Sequence, residues 1–315
     1  MKPWSITTTV RNPERIRSFL AILQKMEGEV WDRPNQKKLQ ILLIQYKVYG
    51  AGEAQFYKGL SKNQVLLMDT PEPITFKEAE EILDSKAYVG GGDMRGRQSF
   101  NPLEKMGLAF LDNKNKIRIS GFGKYFLQDE YDLGEVFFKS FLKWQLPNPD
   151  TKDYKAEKGY NIKPFVATLH LINEVNKICL AKGVKVKGIS RLEFSFFCLT
   201  LLNYKDIQKQ AQELHKFRVK LEKLKTDKEK NKFVNDFIEK NLSHIDGVNN
   251  LGDYADNAFR YFNYGVPAMP LENAQGNTKR QSCRAFRYNL FAQRKMQTQQ
   301  KGFPLQSLTQ LQRAA

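Results

Sequence analysis

The sequence predicts a mainly helical α+β protein with small β-hairpins, arranged as tandem winged-helix or helix-turn-helix units. Two observations carry this prediction. Apolar residues recur at helical spacing along most of the chain, and residues 85–127 read as a helix followed by a short hairpin. A chain of 315 residues with 41% hydrophobic content can form two or three domains with proper cores. We expect domains at 1–147 and 160–278, separated by a loop rich in Pro, Asp and Lys.

The first elements are predicted from their capping residues. Residues 4–10 are rich in Thr and Ile and are typical of a strand. Asn12-Pro13-Glu14 then supplies a cap, a proline at the first helical position and an acid at the positive end of the helix dipole. Further helices are expected at residues 35–46 and 76–84, the second opened by the capping box Thr75-Phe-Lys-Glu78.

The expected first winged helix covers about residues 74–127, with the helix at 76–84 packing on the helix that follows. Residues 90–92 are glycines that allow a sharp turn, and Asp93 is a suitable N-cap. Pro102 is expected to break or kink the helix and Gly107 to end it. The polar residues exposed near its start are Arg95, Arg97 and Gln98.

A two-stranded hairpin is expected directly after this helix. Its apolar residues alternate around the turn at 112–115, and the turn and second strand carry three cations. The alternating residues are Leu108, Phe110, Ile117 and Ile119. The cations are Lys114, Lys116 and Arg118.

Charge of this type at these places indicates contact with DNA. Arginine near a helix N-terminus can offer two donors to the O6 and N7 edge of guanine, whereas lysines on a wing can neutralise phosphates. We therefore assign base contacts to Arg95 and Arg97 and include Gln98 among the DNA-binding residues. The simpler alternative is that the two arginines are solvated, or pair with Asp93 or Glu104.

The second half, like the first, has a capping box and apolar residues at helical spacing. It is expected to form a second helical or winged-helix recognition domain. Ser190-Arg-Leu-Glu193 is a capping box, and residues 253–262 look like a second recognition helix. On that helix Asn257 and Arg260 are suitable partners for adenine and guanine edges. The remaining candidates for phosphate contact are Arg11, Lys114, Lys116 and Lys143.

The composition limits the kind of protein and the partner. The formal net charge is +17, and no acidic residue follows Glu272, so residues 279–315 are a basic tail that is either disordered or frame-shifted. Residues 1–272 still hold 43 of the 51 Lys and Arg against all 34 acids, which favours a polyanion. Three cysteines without CxxC spacing make a zinc site unexpected, so we expect no metal site. No apolar run could act as a signal or span a bilayer, so we expect a cytoplasmic prokaryotic protein with no membrane partner.

Four blocks of sequence resemble the AlwI family of type IIS restriction endonucleases, which includes related nicking enzymes. The likeness covers roughly residues 1–278, in order and with similar spacing. The blocks are WSITTTVRNPERIRSFL, KAYVGGGDMRGRQSFNPLEKMGLAF, FLKWQLP and ADNAFRYFNY.

The resemblance implies a bipartite enzyme. An N-terminal recognition part would bind a short asymmetric site on double-stranded DNA, and a separate C-terminal nuclease domain using Mg²⁺ would cut nearby. That domain needs an Asp, a later Glu or Asp and a Lys on a strand hairpin, in a block on the order of 200 residues. The weak candidates here are Asp93, Asp112 and Lys114, because a helix lies where a strand is needed.

We therefore expect the recognition part of such an enzyme, a monomer without cofactor, with the cleaving domain missing or supplied by a separate nuclease subunit. Two other classes stay open. One is a self-sufficient nuclease with a diverged site around Asp93, Asp112 and Lys114. The other is a two-domain winged-helix transcriptional regulator, which would bind a palindrome as a symmetric dimer.

Overall fold

The computed structural model describes residues 1–148, 154–186 and 188–264, so the basic tail and the end of the second expected domain lie outside the described residues. The described chain is mainly helical with one small antiparallel sheet, which confirms the predicted mainly α class. The helices are α1 (Ile16–Gln24), α2 (Arg33–Gln45), α3 (Ala54–Tyr57), α4 (Lys62–Asp69), α5 (Phe76–Ser85), α6 (Gly91–Lys105), α7 (Gly121–Leu127), α8 (Leu133–Lys143), α9 (Pro164–Ala181), α10 (Arg191–Glu193), α11 (Ile207–Lys223), α12 (Asp227–Leu242) and α13 (Leu251–Tyr264). The strands are β1 (Ala109–Leu111) and β2 (Ile117–Ile119).

Two of the predicted caps are present in the first half of the chain. The Asn12 side chain accepts the backbone N–H of Glu14 at 3.1 Å, and a 3₁₀ turn at Pro13–Arg15 leads into α1. Thr75 and Glu78 form the predicted capping box of α5. A side-chain cap satisfies backbone donors that would otherwise lack a partner. Capping residues in the sequence therefore predict where these helices begin.

The start of α6 differs from the prediction. Gly90, not Asp93, is the N-cap, with φ at +83° in the left-handed region that favours glycine. Asp93 lies in the first turn, where its negative charge suits the positive end of the helix dipole. The helix also continues through Pro102 to Lys105, so the proline does not break it.

Helices α1, α2 and α6 pack together around one side of the hydrophobic core. The main partner of α6 is α2, not α5 as the sequence predicted. Gly96 allows this approach, because a Cβ built there would lie 1.8 Å from the Gln36 carbonyl oxygen of α2. Helix α5 packs on another face of α2 and closes a second, smaller core with α3 and α4. That core contains Ile41, Ile44, Phe56, Met68, Ile74, Ala79, Ile82 and Leu83.

The predicted hairpin is present in β1 and β2, with Ala109 opposite Ile119 and Phe110 opposite Arg118. Its inner face is set by Ala109, Ile117 and Ile119, which are buried. Phe110 was expected on that face but is 41% exposed. The actual register places Phe110 and Arg118 on the outer face, because neighbouring residues of a strand point to opposite sides.

A third extended segment runs along the free edge of β2. Residues 28–31 lie between α1 and α2, and Val30 forms an antiparallel bridge with Lys116. Gly28 N–H donates to the Ile117 oxygen at 2.8 Å, and Ile117 N–H donates to the Glu29 oxygen at 2.9 Å. The order is therefore helix, extended segment, helix, the α3–α5 group, helix and hairpin.

The N-terminal segment at 4–10 is buried but is not the predicted strand. The Trp4 indole N–H donates to the Cys198 oxygen at 2.8 Å. Further along, the Thr7 oxygen accepts from Asn257 Nδ2 at 2.9 Å and the Val10 oxygen from the Tyr261 hydroxyl at 2.8 Å. The Thr7 and Val10 carbonyl oxygens thus accept hydrogen bonds from side chains, where the predicted strand would have bonded to a neighbouring strand.

Aromatic rings join this segment to the second half of the chain. The Trp4 ring lies 5.7 Å from Trp144, 5.8 Å from Phe194 and 6.1 Å from Phe262. These contacts make one hydrophobic cluster that runs from α1 to α13. Arg218 of α11 and Glu193 of α10 form a buried two-pronged ion pair, with N–O distances of 2.7 and 3.0 Å.

The described second half contains helices, turns and two isolated bridges, which join Leu146 to Ile162 and Asn161 to Asn203. Residues 154–186 and 188–264 include no hairpin, so the wing expected for the second domain is not found among them. Within the described residues, no helix combines the length and apolar character needed to cross a membrane.

We expect Gly96→Ala to destabilise the protein by about 1–3 kcal/mol, because the added methyl group meets the Gln36 backbone and forces α2 and α6 apart. Gly252→Ala is the matched control. That glycine lies in α13 with open space around it, so alanine should be neutral or stabilising by up to about 1 kcal/mol. Urea unfolding midpoints measure both, and equal effects of the two changes would contradict the proposed packing role of Gly96.

Candidate nucleic-acid interface

One side of α6 faces solvent along its first three turns. Gly96, Ser99 and Phe100 point inward, whereas Arg97 is exposed and Gln98 is half-buried. Within the described part of the chain, the Arg97 guanidinium has no hydrogen bond or ion pair. The alternative that Arg97 pairs with Asp93 or Glu104 is therefore not what the structure shows.

Arg95 is held in place by its neighbours. Its guanidinium carbon lies 4.5 Å from the centre of the Tyr88 ring, a cation–π geometry, and Nη1 lies 3.4 Å from Gln98 Oε1. The side chain is half-buried. Arg95 is thus held by contacts with Tyr88 and Gln98, whereas the Arg97 side chain is exposed to solvent.

Gln98 has a second partner from a distant part of the sequence. The Thr9 hydroxyl donates to Gln98 Oε1 at 3.1 Å. Thr9 belongs to the N-terminal segment at 4–10, so this contact joins residues 89 positions apart. Sequence reasoning missed Thr9, because it is one of three consecutive threonines in an apparent strand and nothing in the sequence indicates its tertiary partner.

Arg33 was also missed. It is the first residue of α2, its side chain is 89% exposed, and its Nε lies 3.9 Å from Asp93 Oδ2 in the first turn of α6. The two helix starts therefore lie side by side. A signal was present, since an arginine in the first turn opposes the helix dipole and calls for another reason to be there.

The hairpin tip presents two lysines. Lys114 is exposed and Lys116 is half-buried, and neither ammonium group has a carboxylate partner among the described residues. Arg118 differs, because its Nε and Nη2 both lie 2.9 Å from Asp112 Oδ2. The free positive charge of the hairpin is therefore at its tip.

Asp112 holds this turn together. Its Oδ1 accepts the backbone N–H groups of Lys114 and Lys116, each at 2.9 Å, while its Oδ2 accepts from Arg118. These bonds, first the one from the Lys116 amide, lower the pKa of the Asp112 carboxyl below its ordinary value of 3.8. Asp112 is thus the structural carboxylate of the hairpin.

The other predicted phosphate contacts lie at separate places. Lys143 is exposed at the end of α8. The Arg11 Nη2 lies 3.5 Å from Asp253 Oδ2 on α13, with both side chains more than half exposed.

The structure corrects the assignment made for α13. Asn257 is 1% exposed, and its amide donates to the Thr7 backbone, so it does not present an edge to a base. The reason is that this face of α13 packs on the N-terminal segment. Arg260 is about half exposed and forms an ion pair with Asp256 at 3.1 Å, which also lies 3.1 Å from Arg191.

Comparison with known protein families finds one whose model matches this chain. The model of the AlwI restriction endonuclease family matches residues 104–266, just over half of the chain. This protein belongs to the AlwI restriction endonuclease family. The match takes in the hairpin, α8 and α13. No curated protein matches the chain at a significant level.

An AlwI-family enzyme is expected to use Mg²⁺, but the candidate residues do not fit a metal site. Both Asp112 oxygens are engaged by the turn and Arg118. Asp93 lies on α6 beside Arg33. Within residues 1–148, 154–186 and 188–264, no three His, Cys, Asp or Glu side chains group in a way that could hold a metal ion.

We expect Asp112→Asn to destabilise the hairpin at neutral pH, because the neutral amide loses the Arg118 pair. The pKa of Asp112 is lowered on folding, so its contribution to stability is present above pH 3.8 and is lost as the pH falls through the lower folded value. The gap in melting temperature between the wild type and the variant should therefore shrink from pH 7 to pH 3. Asp253→Asn is the control, since its exposed pair with Arg11 should contribute little. A gap that stays constant with pH would contradict the role of the Asp112 charge.

Proposed function

We propose that this chain binds double-stranded DNA at a short asymmetric site, as a monomer, and forms the recognition part of a type IIS restriction or nicking endonuclease. The proposal rests on one observation: the β1–β2 hairpin follows directly after α6 in the chain. A helix whose solvent side carries Arg97 is followed by the β1–β2 hairpin, whose turn carries Lys114 and Lys116, and none of these three cations has a carboxylate partner among the described residues. These are the two charge types that base edges and phosphates require.

The element order supports a winged helix as the scaffold. A winged helix runs helix, strand, helix, helix and hairpin, with the first strand paired to the last. Here α1, residues 28–31, α2, α6 and the β1–β2 hairpin follow that order, and Val30 bridges Lys116 of β2. In this proposal α3–α5 are an insertion between the second and third helices, and the unit begins at α1 instead of residue 74.

The proposed contacts to bases and to phosphates are made by different residues. Arg97 and Gln98 lie on the solvent side of α6 and are proposed to contact bases, with Arg95 supporting Gln98 from the Tyr88 ring. Lys114 and Lys116 are proposed phosphate contacts, and Arg33 is added to them because it starts α2 beside α6. Arg11 and Lys143 remain proposed phosphate contacts outside the winged helix. Arg260, expected from the sequence to contact a base, remains a proposed base contact, although it is paired with Asp256.

We place no phosphodiester cleavage in the described residues. Asp93, Asp112 and Lys114 are accounted for by α6 and the hairpin turn, and their donor set does not fit Mg²⁺. In this proposal a nuclease domain or subunit of the usual Mg²⁺-dependent kind supplies the cut. The basic surface supplies binding, with an affinity that falls steeply as salt rises.

The first experiment is selection of bound duplexes from random DNA at fixed salt. We expect a short asymmetric consensus. Arg97→Ala should cost about 1–3 kcal/mol of binding to that consensus and relax the preference at one base pair. Lys114→Ala should weaken all duplexes alike and lower the slope of log affinity against log salt by about one. If both variants behave alike, the division into base and phosphate contacts is wrong.

The same bound pool separates the competing classes of protein. Mg²⁺ is added after selection, and the DNA is expected to stay intact. Cut DNA that Asp112→Ala leaves intact would establish a self-sufficient nuclease instead. A palindromic consensus bound by a dimer would establish a transcriptional regulator. No enrichment of any sequence would overturn the proposed recognition function.

A further inference from the structure

The contact between Gln98 and Thr9 fixes which atoms of Gln98 can face a ligand. Arginine is only a donor, so the Gln98 atom that lies 3.4 Å from Arg95 Nη1 must be the carbonyl oxygen Oε1. The Thr9 hydroxyl reaches the same oxygen at 3.1 Å. The neighbouring donors therefore determine which end of the Gln98 amide is the oxygen and which is the nitrogen.

Two donors use both lone pairs of an amide oxygen. The accepting side of Gln98 is thus turned toward the protein and is occupied. Its Nε2 has no hydrogen-bond partner within the described part of the chain and carries two N–H groups. Gln98 lies on the solvent side of α6 next to Arg97, so it offers a ligand donors and no acceptor.

This restricts the base edge that Gln98 can match. A free glutamine reads adenine with one donor and one acceptor, through N7 and N6. A glutamine whose oxygen is already used lacks the acceptor that the adenine N6 amino group needs. Guanine presents two acceptors in the major groove, O6 and N7, and no donor beside them, so it fits a side chain that only donates.

Helix α13 controls the position of Thr9. The backbone oxygens of Thr7 and Val10, on either side of Thr9, accept from Asn257 and Tyr261 of α13. Thr7 Oγ1 in turn accepts the backbone N–H groups of Thr9 and Val10, at 3.2 and 3.1 Å. The loop that carries the Thr9 hydroxyl is therefore fixed from both ends by the second half of the chain.

We propose that Thr9, held by Asn257 and Tyr261, is a positioning residue that turns Gln98 into a donor-only reader selective for guanine over adenine. The proposal rests on the proposed DNA-binding function and deepens it. Asn257 contributes to base recognition in this scheme, but through the loop at residues 7–10 and not by touching a base. Recognition by α6 thus depends on the N-terminal segment and α13 together.

The test uses the full chain and the consensus duplex found by selection, with each base pair replaced in turn. The position read by Gln98 is the one whose preference Gln98→Ala abolishes. Thr9→Val removes the hydroxyl at nearly the same volume and should reduce the guanine-to-adenine preference there by about tenfold. Thr9→Ser keeps the hydroxyl and should preserve that preference, which makes it the matched control.

Gln98→Glu gives an independent readout. One carboxylate oxygen can keep the bonds from Thr9 and Arg95, while the other can only accept. The preferred base at the same position should then change to cytosine, whose N4 amino group donates. Binding measured at several salt concentrations should show an unchanged salt slope for the Thr9 variants, because no phosphate contact is touched.

Each result decides one statement. A loss of guanine selectivity in Thr9→Val but not in Thr9→Ser supports the proposal. Equal selectivity in both variants, or a Gln98→Ala effect spread evenly over all duplexes, overturns it while leaving DNA recognition in place. Failure of the wild-type chain to select any duplex would overturn the proposed function itself. Melting temperatures within a few degrees of the wild type confirm that the variants fold.

Discussion

The buried N-terminal segment at 4–10 is the constraint on which the remaining architecture depends. It has no strand partner, so its backbone groups need donors and acceptors from elsewhere, since an unpaired buried peptide group costs on the order of 1–3 kcal/mol. Asn257 and Tyr261 supply donors, and the Trp4 backbone N–H donates to the Leu199 carbonyl at 3.1 Å. Burial raises the pKa of the Tyr261 hydroxyl, which keeps its proton available for the bond to Val10. Through these bonds the first and last described elements share one core.

Two kinds of positive charge follow from this architecture. Arg218 is buried and satisfied by Glu193, the Gly188 carbonyl and Cys179, so it serves the core of the second half. Arg97 and Lys114 have no such partners among the described residues and remain at the surface. A charge left unpaired in water keeps its full attraction for a polyanion, whereas a paired one must first give up its partner. Membership of the AlwI restriction endonuclease family agrees with a surface of this kind.

The hairpin shows how one carboxylate can be misread from sequence. Asp112 precedes Lys114 with the acid-x-Lys spacing of a nuclease, and it follows an apolar run. In the structure the same spacing places two backbone N–H groups on Oδ1, which is the ordinary use of Asp in a tight turn. The spacing alone cannot separate the two uses, because the difference lies in what the carboxylate oxygens face. Arg118 on the adjoining strand decides it.

The sequence by itself determined the local elements, because capping, periodicity and turn chemistry act within a few residues. It predicted the starts of α1 and α5, the hairpin and the end of α6 at Gly107, where φ is +70°. Only the tertiary structure decided that α6 packs on α2 through Gly96, that the segment at 4–10 is not a strand, and that Asn257 faces the core. Each of these depends on which distant atoms meet. A polar residue in a helix looks the same in sequence whether it meets water or a buried carbonyl, and only packing brings that carbonyl to it.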